Sequence, residues 1–268
     1  MDPMRIFDRA AVRRHRDRAA ARVDQVADVL RDAAERLLDR LDDTRRTFAD
    51  ALDIGGRGVV APMLRGRGIS VVSSDLSPAM AARNGGPAVA ADEEFLPFAP
   101  GSFDLVVASL SLHWVNDLPG ALIQIRRALR PGGLFLGSLP ALGTLQELRL
   151  ALTEAEAEIS GGVSPRVSPF PDLRDCAHLL QRAGFALPVA DIEDIRLLYA
   201  DPLAILSDLR AAGEANAVRQ RARGVPPRGL FPAALARLST QNGATQNGPT
   251  QNGRLEVRLR LAMLTGWA

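Results

Sequence analysis

Ala51-Leu52-Asp53-Ile54-Gly55-Gly56-Arg57-Gly58 reads as a short apolar strand that runs directly into a glycine turn, with a helix-length stretch from Val59 behind it. Glycines at such a turn let the backbone bend tightly and approach a ligand where a side chain would block it. A glycine cluster alone is a weak signal, and the residues around it decide its meaning.

Working outward, further apolar runs cover Ile69 to Ser73, Pro87 to Ala91, Leu105 to Leu110 and Leu134 to Leu139. Helical or turn-rich stretches separate them. Strands alternating with helix-length connections imply βαβ units and a parallel sheet. The helix before the fifth run carries Leu118, Ala121, Leu122, Ile125, Ala128 and Leu129 in register and closes on Arg130-Pro131-Gly132-Gly133. Upstream, Val23, Val26, Val29, Leu30, Ala33, Ala34, Leu37, Leu38 and Leu41 share one helical face, predicting a single amphipathic helix over 18–41.

Beyond residue 145 the pattern predicts helices over 145–159, 173–183 and 202–212, and strands over 189–197 and 255–264. The Ser-, Pro- and Gly-rich stretch from Gly161 to Pro171 reads as a loop of the kind that covers a site. Thr240-Gln241-Asn242-Gly243 recurs at 245–248 and 250–253, and reads as a flexible insertion of turn formers. The expected organisation is an N-terminal helical lid over 1–48, a ligand-binding α/β domain over 49–268 with its cover at about 145–235, and the repeat at 239–253.

Two further carboxylates give the glycine turn its chemistry. Asp75 ends the second run about 20 residues after the glycines, and Asp92, followed by Glu93 and Glu94, ends the third. Side chains at the C-terminal ends of parallel strands converge on the crevice where strand order reverses, where Asp75 is placed to accept both ribose hydroxyls of a nucleoside. Asp75-Leu76-Ser77-Pro78 also resembles a helix start, but Ser77 can serve as the cap with Pro78 at the first helical position, which leaves Asp75 for ligand.

The 268 residues carry 33 basic and 31 acidic side chains, every basic one an arginine, for a formal net charge of +2. A nucleic-acid binder concentrates Arg on one face. Here Arg13, Arg14, Arg16, Arg18 and Arg22 alternate with Asp8, Asp17, Asp24 and Asp28, which reads as a solvated, ion-paired helix. A single cysteine, Cys176, excludes an intramolecular disulfide framework and a cysteine-based zinc cluster, and reads as a small apolar group in a helix. No run approaches the ~20 apolar residues of a membrane span. The opening residues lack the apolar segment of a signal peptide, so a cytoplasmic protein is expected.

Several stretches carry a resemblance over residues 5–215. They include Arg5-Ile6-Phe7-Asp8-Arg9, Ala91 to Phe98, Phe103 to Val107, Ser109 to Pro119, Thr144 to Arg149, His178 to Phe185 and Gly213-Glu214-Ala215-Asn216. The chain resembles the mitochondrial complex I assembly factors of the arginine-hydroxylase type and their bacterial relatives. More distantly it is similar to the malonyl-carrier-protein methyltransferases of biotin synthesis, which differ near Gly213–Asn216.

The resemblance implies a class I methyltransferase (Rossmann-like) α/β fold: a seven-stranded, mainly parallel sheet with its last strand antiparallel and helices on both faces. It implies S-adenosylmethionine (SAM) as cofactor, with Asp53, Gly55, Gly56 and Gly58 at the methionine part, Asp75 and Leu76 at the ribose, Asp92 and Glu93 beside adenine, and Ser109 at the end of the fourth strand. It also implies an iron–sulfur subunit of complex I as a protein partner and, in a eukaryote, the mitochondrial matrix as the location. The glycine loop departs from the family's Asp-x-Gly-x-Gly-x-Gly pattern by one missing residue, which would weaken SAM binding or shift its pose. The repeat and the end at Trp267-Ala268, soon after the family's Gly-Trp, are peripheral to the crevice.

Methyl transfer from SAM needs a base only where the acceptor must lose a proton. His113, just past the fourth strand, is the candidate base, or else a packed structural group with Leu112 and Trp114. Iron-dependent hydroxylation calls for two histidines and a carboxylate together, and His15, His113 and His178 are scattered, so no metal site is expected. Four activities follow as expectations: SAM-dependent methyl transfer, arginine hydroxylation, malonyl-carrier-protein O-methylation, and non-catalytic assembly.

Overall fold

The computed structural model describes residues 5–244 and 254–268. The strands are β1 (Asp50–Ile54), β2 (Ser70–Asp75), β3 (Ala88–Ala90), β4 (Phe103–Ser109), β5 (Leu129–Pro140), β6 (Ala186–Tyr199) and β7 (Leu255–Trp267). They form one seven-stranded sheet of order β3-β2-β1-β4-β5-β7-β6. β1 to β5 pair in parallel, while β7 lies between β5 and β6 and runs antiparallel to both. This is the expected class I methyltransferase topology. Strand order reverses between β1 and β4, so the C-terminal ends of β1, β2 and β4 open one crevice.

Alternation along the central strands explains why helices cover both faces. Ala51, Leu105, Val107, Leu134 and Leu136 enter one core, with α2 (Ala27–Leu38) and α3 (Val60–Gly66) packed on it. Leu52, Ile54, Val106, Ala108 and Phe135 enter the other, beneath α5 (Leu118–Ala128) and α7 (Leu173–Arg182). Strands buried on both sides read as near-continuous apolar runs. Cys176 is buried in α7, where desolvation pushes its thiol up to about 11. A third core joins α6 (Gln146–Ser160), α8 (Leu203–Ala211) and α9 (Leu230–Ala244) to the start of β7. The short α4 (Pro78–Ala81) starts on Ser77, whose side chain accepts from the Met80 amide.

Two sequence expectations fail here. The single helix expected over 18–41 is broken: a turn at residues 20–22 and a 3-10 segment (Val23–Val26) precede α2, and a separate helix, α1 (Arg9–Ala19), capped by Asp8, lies upstream and reaches only the first two residues of that span. The two helices serve different surfaces. α2 lays Leu30, Ala33, Ala34, Leu37 and Leu38 on the sheet, whereas α1 turns to bury Ala11, Val12, Arg16 and Ala19. Second, α9 continues through the first copy of the repeat to Ala244, carried by Leu230, Ala234, Leu235 and Leu238 in the third core. The rest of the repeat, 245–253, lies outside the described residues.

Candidate functional site

Asp53 is the penultimate residue of β1 and fully buried, and neither carboxylate oxygen has a hydrogen-bond partner of good geometry. Burial and the neighbouring Asp75 charge push its carboxyl up to about 7, an effect that the nearby Ala61 and Gly56 amides only partly offset. A Cβ on Gly56 would stand 2.3 Å from both Asp53 oxygens, so only glycine lets the loop close over this carboxylate. Gly55 (φ +67°) donates to the Ser74 carbonyl at 2.7 Å, tying the loop to β2. Gly58 donates to Asn84 Oδ1 at 2.9 Å and packs on the Arg83 backbone, which gives it a turn-forming place at the loop's far end.

Asp75 closes β2, but it is not left free as the sequence reading has it. Its Oδ1 accepts from the Ser77 amide at 2.8 Å and its Oδ2 from Arg16 Nη1 at 3.0 Å. Glu93 shares that same Nη1 at 3.3 Å. One helical face of α1 therefore carries two arginines into the acids at the strand ends. Arg16 is wholly buried, and Arg9 binds Asp92 at 2.6 Å, Glu93, and the Trp114 carbonyl at 3.1 Å. The solvated helix of the sequence reading is overturned at Arg16, because the sheet edge supplies the buried carboxylates Asp75 and Glu93 that neutralise it. Burial raises the Asp75 carboxyl while Arg16 opposes the rise.

A second constellation adjoins the first. The shortened loop holds Arg57 buried and left-handed (φ +51°), donating to the Leu110 carbonyl at 2.9 Å and to Glu214. Glu214 also accepts from Trp114 Nε1 at 2.6 Å and contacts His113 Nε2 at 2.7 Å. Burial disfavours its charge, yet His113 and Arg57 hold its carboxyl well below the usual range. An ionised carboxylate only accepts, so His113 Nε2 carries the hydrogen. His113 Nδ1 is buried without a partner. Beside these groups lies a cavity of about 150 Å³, walled by residues such as Leu30, Leu110, Leu145, Leu209 and Leu259. Val167, Ser168 and Phe170 of the 161–171 loop complete its wall.

Asp53, Gly55, Gly56, Asp75 and Glu93 thus meet at one crevice, with Asp92 at its rim. Leu76 packs against the Phe7–Trp114 cluster, and Ser109 Oγ faces Ser138 Oγ at 3.4 Å. Sequence reasoning missed Arg9, Arg16, Arg57 and Glu214. The seven-residue spacing of Arg9 and Arg16 puts both on one helical face and was the available signal. Among the described residues, no three His, Cys, Asp or Glu side chains are placed to hold a metal ion, and no helix is long and apolar enough to cross a membrane.

A family described as a methyltransferase domain matches residues 15–188, which spans β1 to β5 and the whole crevice. The chain belongs to this methyltransferase-domain family. Within it, the mitochondrial arginine-hydroxylase NDUFAF5 of Danio rerio is 40% identical over 227 residues, covering 81% of this chain and 71% of the relative. The human protein of that name is 41% identical, with 66% of its length covered, so this chain spans about two thirds of these relatives. A malonyl-[acyl-carrier protein] O-methyltransferase of a Methylovorus species is 37% identical over 249 residues, covering 87% of this chain and 82% of the relative. Two solved structures share the fold at 15% identity: the YcgJ protein from Bacillus subtilis (TM-score 0.57, 86% of this chain and 97% of that one) and a SAM-dependent methyltransferase from Thermotoga maritima (TM-score 0.52, 95% and 99%). The protein is accordingly a methyltransferase-fold enzyme, related both to proteins named hydroxylases and to proteins named O-methyltransferases.

Proposed function

We propose that this chain binds SAM at the C-terminal edge of β1 and β2 and transfers a methyl group to an acceptor held in the adjoining cavity, as a methyltransferase of the assembly-factor type. The observation that carries the reading is Asp53: a buried carboxylate with both oxygens unpartnered, beneath a loop that only glycine can close. Such a group needs a cationic donor from a ligand, which the cofactor's ammonium would be. Asp75 is the acceptor for ribose hydroxyls, and Asp92 and Glu93 line the adenine side. The bound cofactor would supply an already activated methyl carbon, so the protein's task is to position the acceptor and exclude water.

Glu214 and Arg57 do that positioning, linking the glycine loop to the cavity through one ion pair. The cavity has room for a group about the size of benzene, which suits one side chain or the end of a carried acyl chain. His113 keeps Glu214 company through Nε2, so any proton it accepts from an acceptor goes to Nδ1.

A second reading, hydroxylation of an arginine on an iron–sulfur subunit of complex I, draws on the 40% identity to the arginine hydroxylase. Against it, the carboxylates lining the cavity are engaged: Glu214 by Arg57, His113 and Trp114, and Asp208 by the Tyr199 hydroxyl. A guanidinium would have to displace Arg57. Incubation with SAM and either arginine peptides of that subunit or malonyl-carrier protein, followed by mass measurement, separates the readings. A methyl increment on either acceptor supports transfer, and an oxygen increment on arginine overturns it. An unmodified product with both, despite SAM binding, favours assembly without catalysis. The cytoplasm, or the mitochondrial matrix in a eukaryote, is the setting this reading requires.

A further inference from the structure

The guanidinium of Arg16 lies against Asp75, the residue proposed above to accept the cofactor's ribose. Its Nη1 lies 3.0 Å from Asp75 Oδ2 and 3.3 Å from Glu93 Oε1, and its Nη2 lies 3.5 Å from the Ser111 carbonyl. On the fourth side it abuts the glycine loop, since a Cβ on Gly55 would meet Nη1 at 3.2 Å. The group is fully buried, and its Nε has no partner. Asp75 already spends Oδ1 on the Ser77 amide. Its Oδ2 is the oxygen left for a ribose hydroxyl, and Arg16 holds it.

The helix carrying Arg16 is fastened independently of it. Asp8 caps α1 through the Ala11 amide at 3.0 Å, and the Asp8 amide donates to the Ala217 carbonyl at 2.8 Å. The Phe7 amide donates to Asn116 Oδ1 at 2.8 Å, and Phe7 stacks edge-on against Trp114 with centroids 5.3 Å apart. Arg9 adds its pairs with Asp92 and Glu93. The long Arg16 side chain can therefore swing away while α1 stays docked.

We propose that Arg16 is an intrachain latch: it neutralises Asp75 and Glu93 while the crevice lacks cofactor, and it has to release Asp75 before a ribose can bind. The latch rests on the proposed cofactor reading and adds regulation to it. Cofactor binding becomes an exchange at Asp75, and the apparent affinity is reduced by the fraction of molecules in which Arg16 is engaged. Glu93 stays available to Arg16 after the exchange, so the displaced cation keeps one buried partner.

Calorimetric titration of the full chain and of Arg16→Gln with SAM, and separately with adenosine, tests this. The latch predicts that the variant binds both ligands about fivefold or more tightly, because both carry the ribose. Unchanged or weaker binding overturns the latch and leaves the cofactor reading standing. A change seen with SAM alone also overturns it, since Arg16 would then act on the methionine end. Absence of binding by either protein overturns the cofactor reading and the latch with it. Should Arg16→Gln fail to fold, stopped-flow tryptophan fluorescence of a Trp267→Phe chain, which leaves Trp114 as the reporter, decides. Release of a latch is unimolecular, so the observed rate should level off as SAM rises, and a rate that climbs linearly throughout contradicts the proposal.

Discussion

The two halves of the functional edge are built on opposite principles. At the ends of β1, β2 and β3, carboxylates are gathered in one place, where arginines of α1 hold Asp75, Asp92 and Glu93 while buried Asp53 has no hydrogen-bond partner of good geometry. In the cavity beside β4 and α8, the walls are apolar and the carboxylates are saturated by neighbours from this chain. A ligand entering the first half is specified by chemistry, because the buried acceptors of Asp53 demand donors. One entering the second is specified mainly by size and shape. That is why the crevice constrains the charge of its ligand while the cavity constrains only the size of an acceptor.

The sharpest way to break this contrast is Glu214→Gln. Removing one member of a buried ion pair leaves Arg57 uncompensated, an expected loss of about 3–5 kcal/mol in denaturant unfolding. Because the Glu214 carboxyl is held below its ordinary value of 4.5, its stabilisation is present above that pH and lost as the pH falls further. The gap between wild type and variant should therefore narrow in acid; a constant gap would mean that the charge is not what matters there.

Asp53→Asn should act in the other direction. The Asp53 carboxyl is raised to about 7, so its burial favours the folded state most below its unfolded pKa, and that advantage disappears as the pH rises through 7. The cofactor-free variant should be more stable than wild type at pH 8, by at most about 4 kcal/mol. The difference should vanish near pH 4, while SAM affinity falls. Equal melting temperatures at pH 8 would place Asp53 with the saturated half. Gly56→Ala is expected to cost about 1–3 kcal/mol through overpacking, because its Cβ would be driven into the Asp53 carboxylate. If its stability matches wild type, the loop is looser than described.

How much of this was legible in sequence follows the same division. The short apolar runs at 51–54, 69–73, 87–91, 105–110 and 134–139, separated by helix-length connections, spelled out a parallel sheet, and Asp53, Gly55, Gly56 and Asp75 fell where such a sheet brings strand ends together. Local pattern could not show the turn at residues 20–22, since the apolar face of α2 continues in phase across it. Nor could it show that Arg16 is buried. An arginine reads as solvated until its partners, here 59 and 77 residues away in the chain, are brought beside it. Glu214 was visible only as part of a shared motif, because its meaning depends on Arg57, His113 and Trp114 converging from distant segments. α9 ran against the turn-forming character of its last residues, which tertiary packing of its first two turns overrode.

The most direct test of the central claim is calorimetric titration of SAM into the full chain and into Asp75→Ala. The account predicts saturable binding by the unaltered chain. It also predicts a loss of roughly ten- to a hundredfold in affinity for the variant, the worth of one or two hydrogen bonds to a charged acceptor. Equal affinity in the two proteins, or no saturable binding by the unaltered chain, would contradict it.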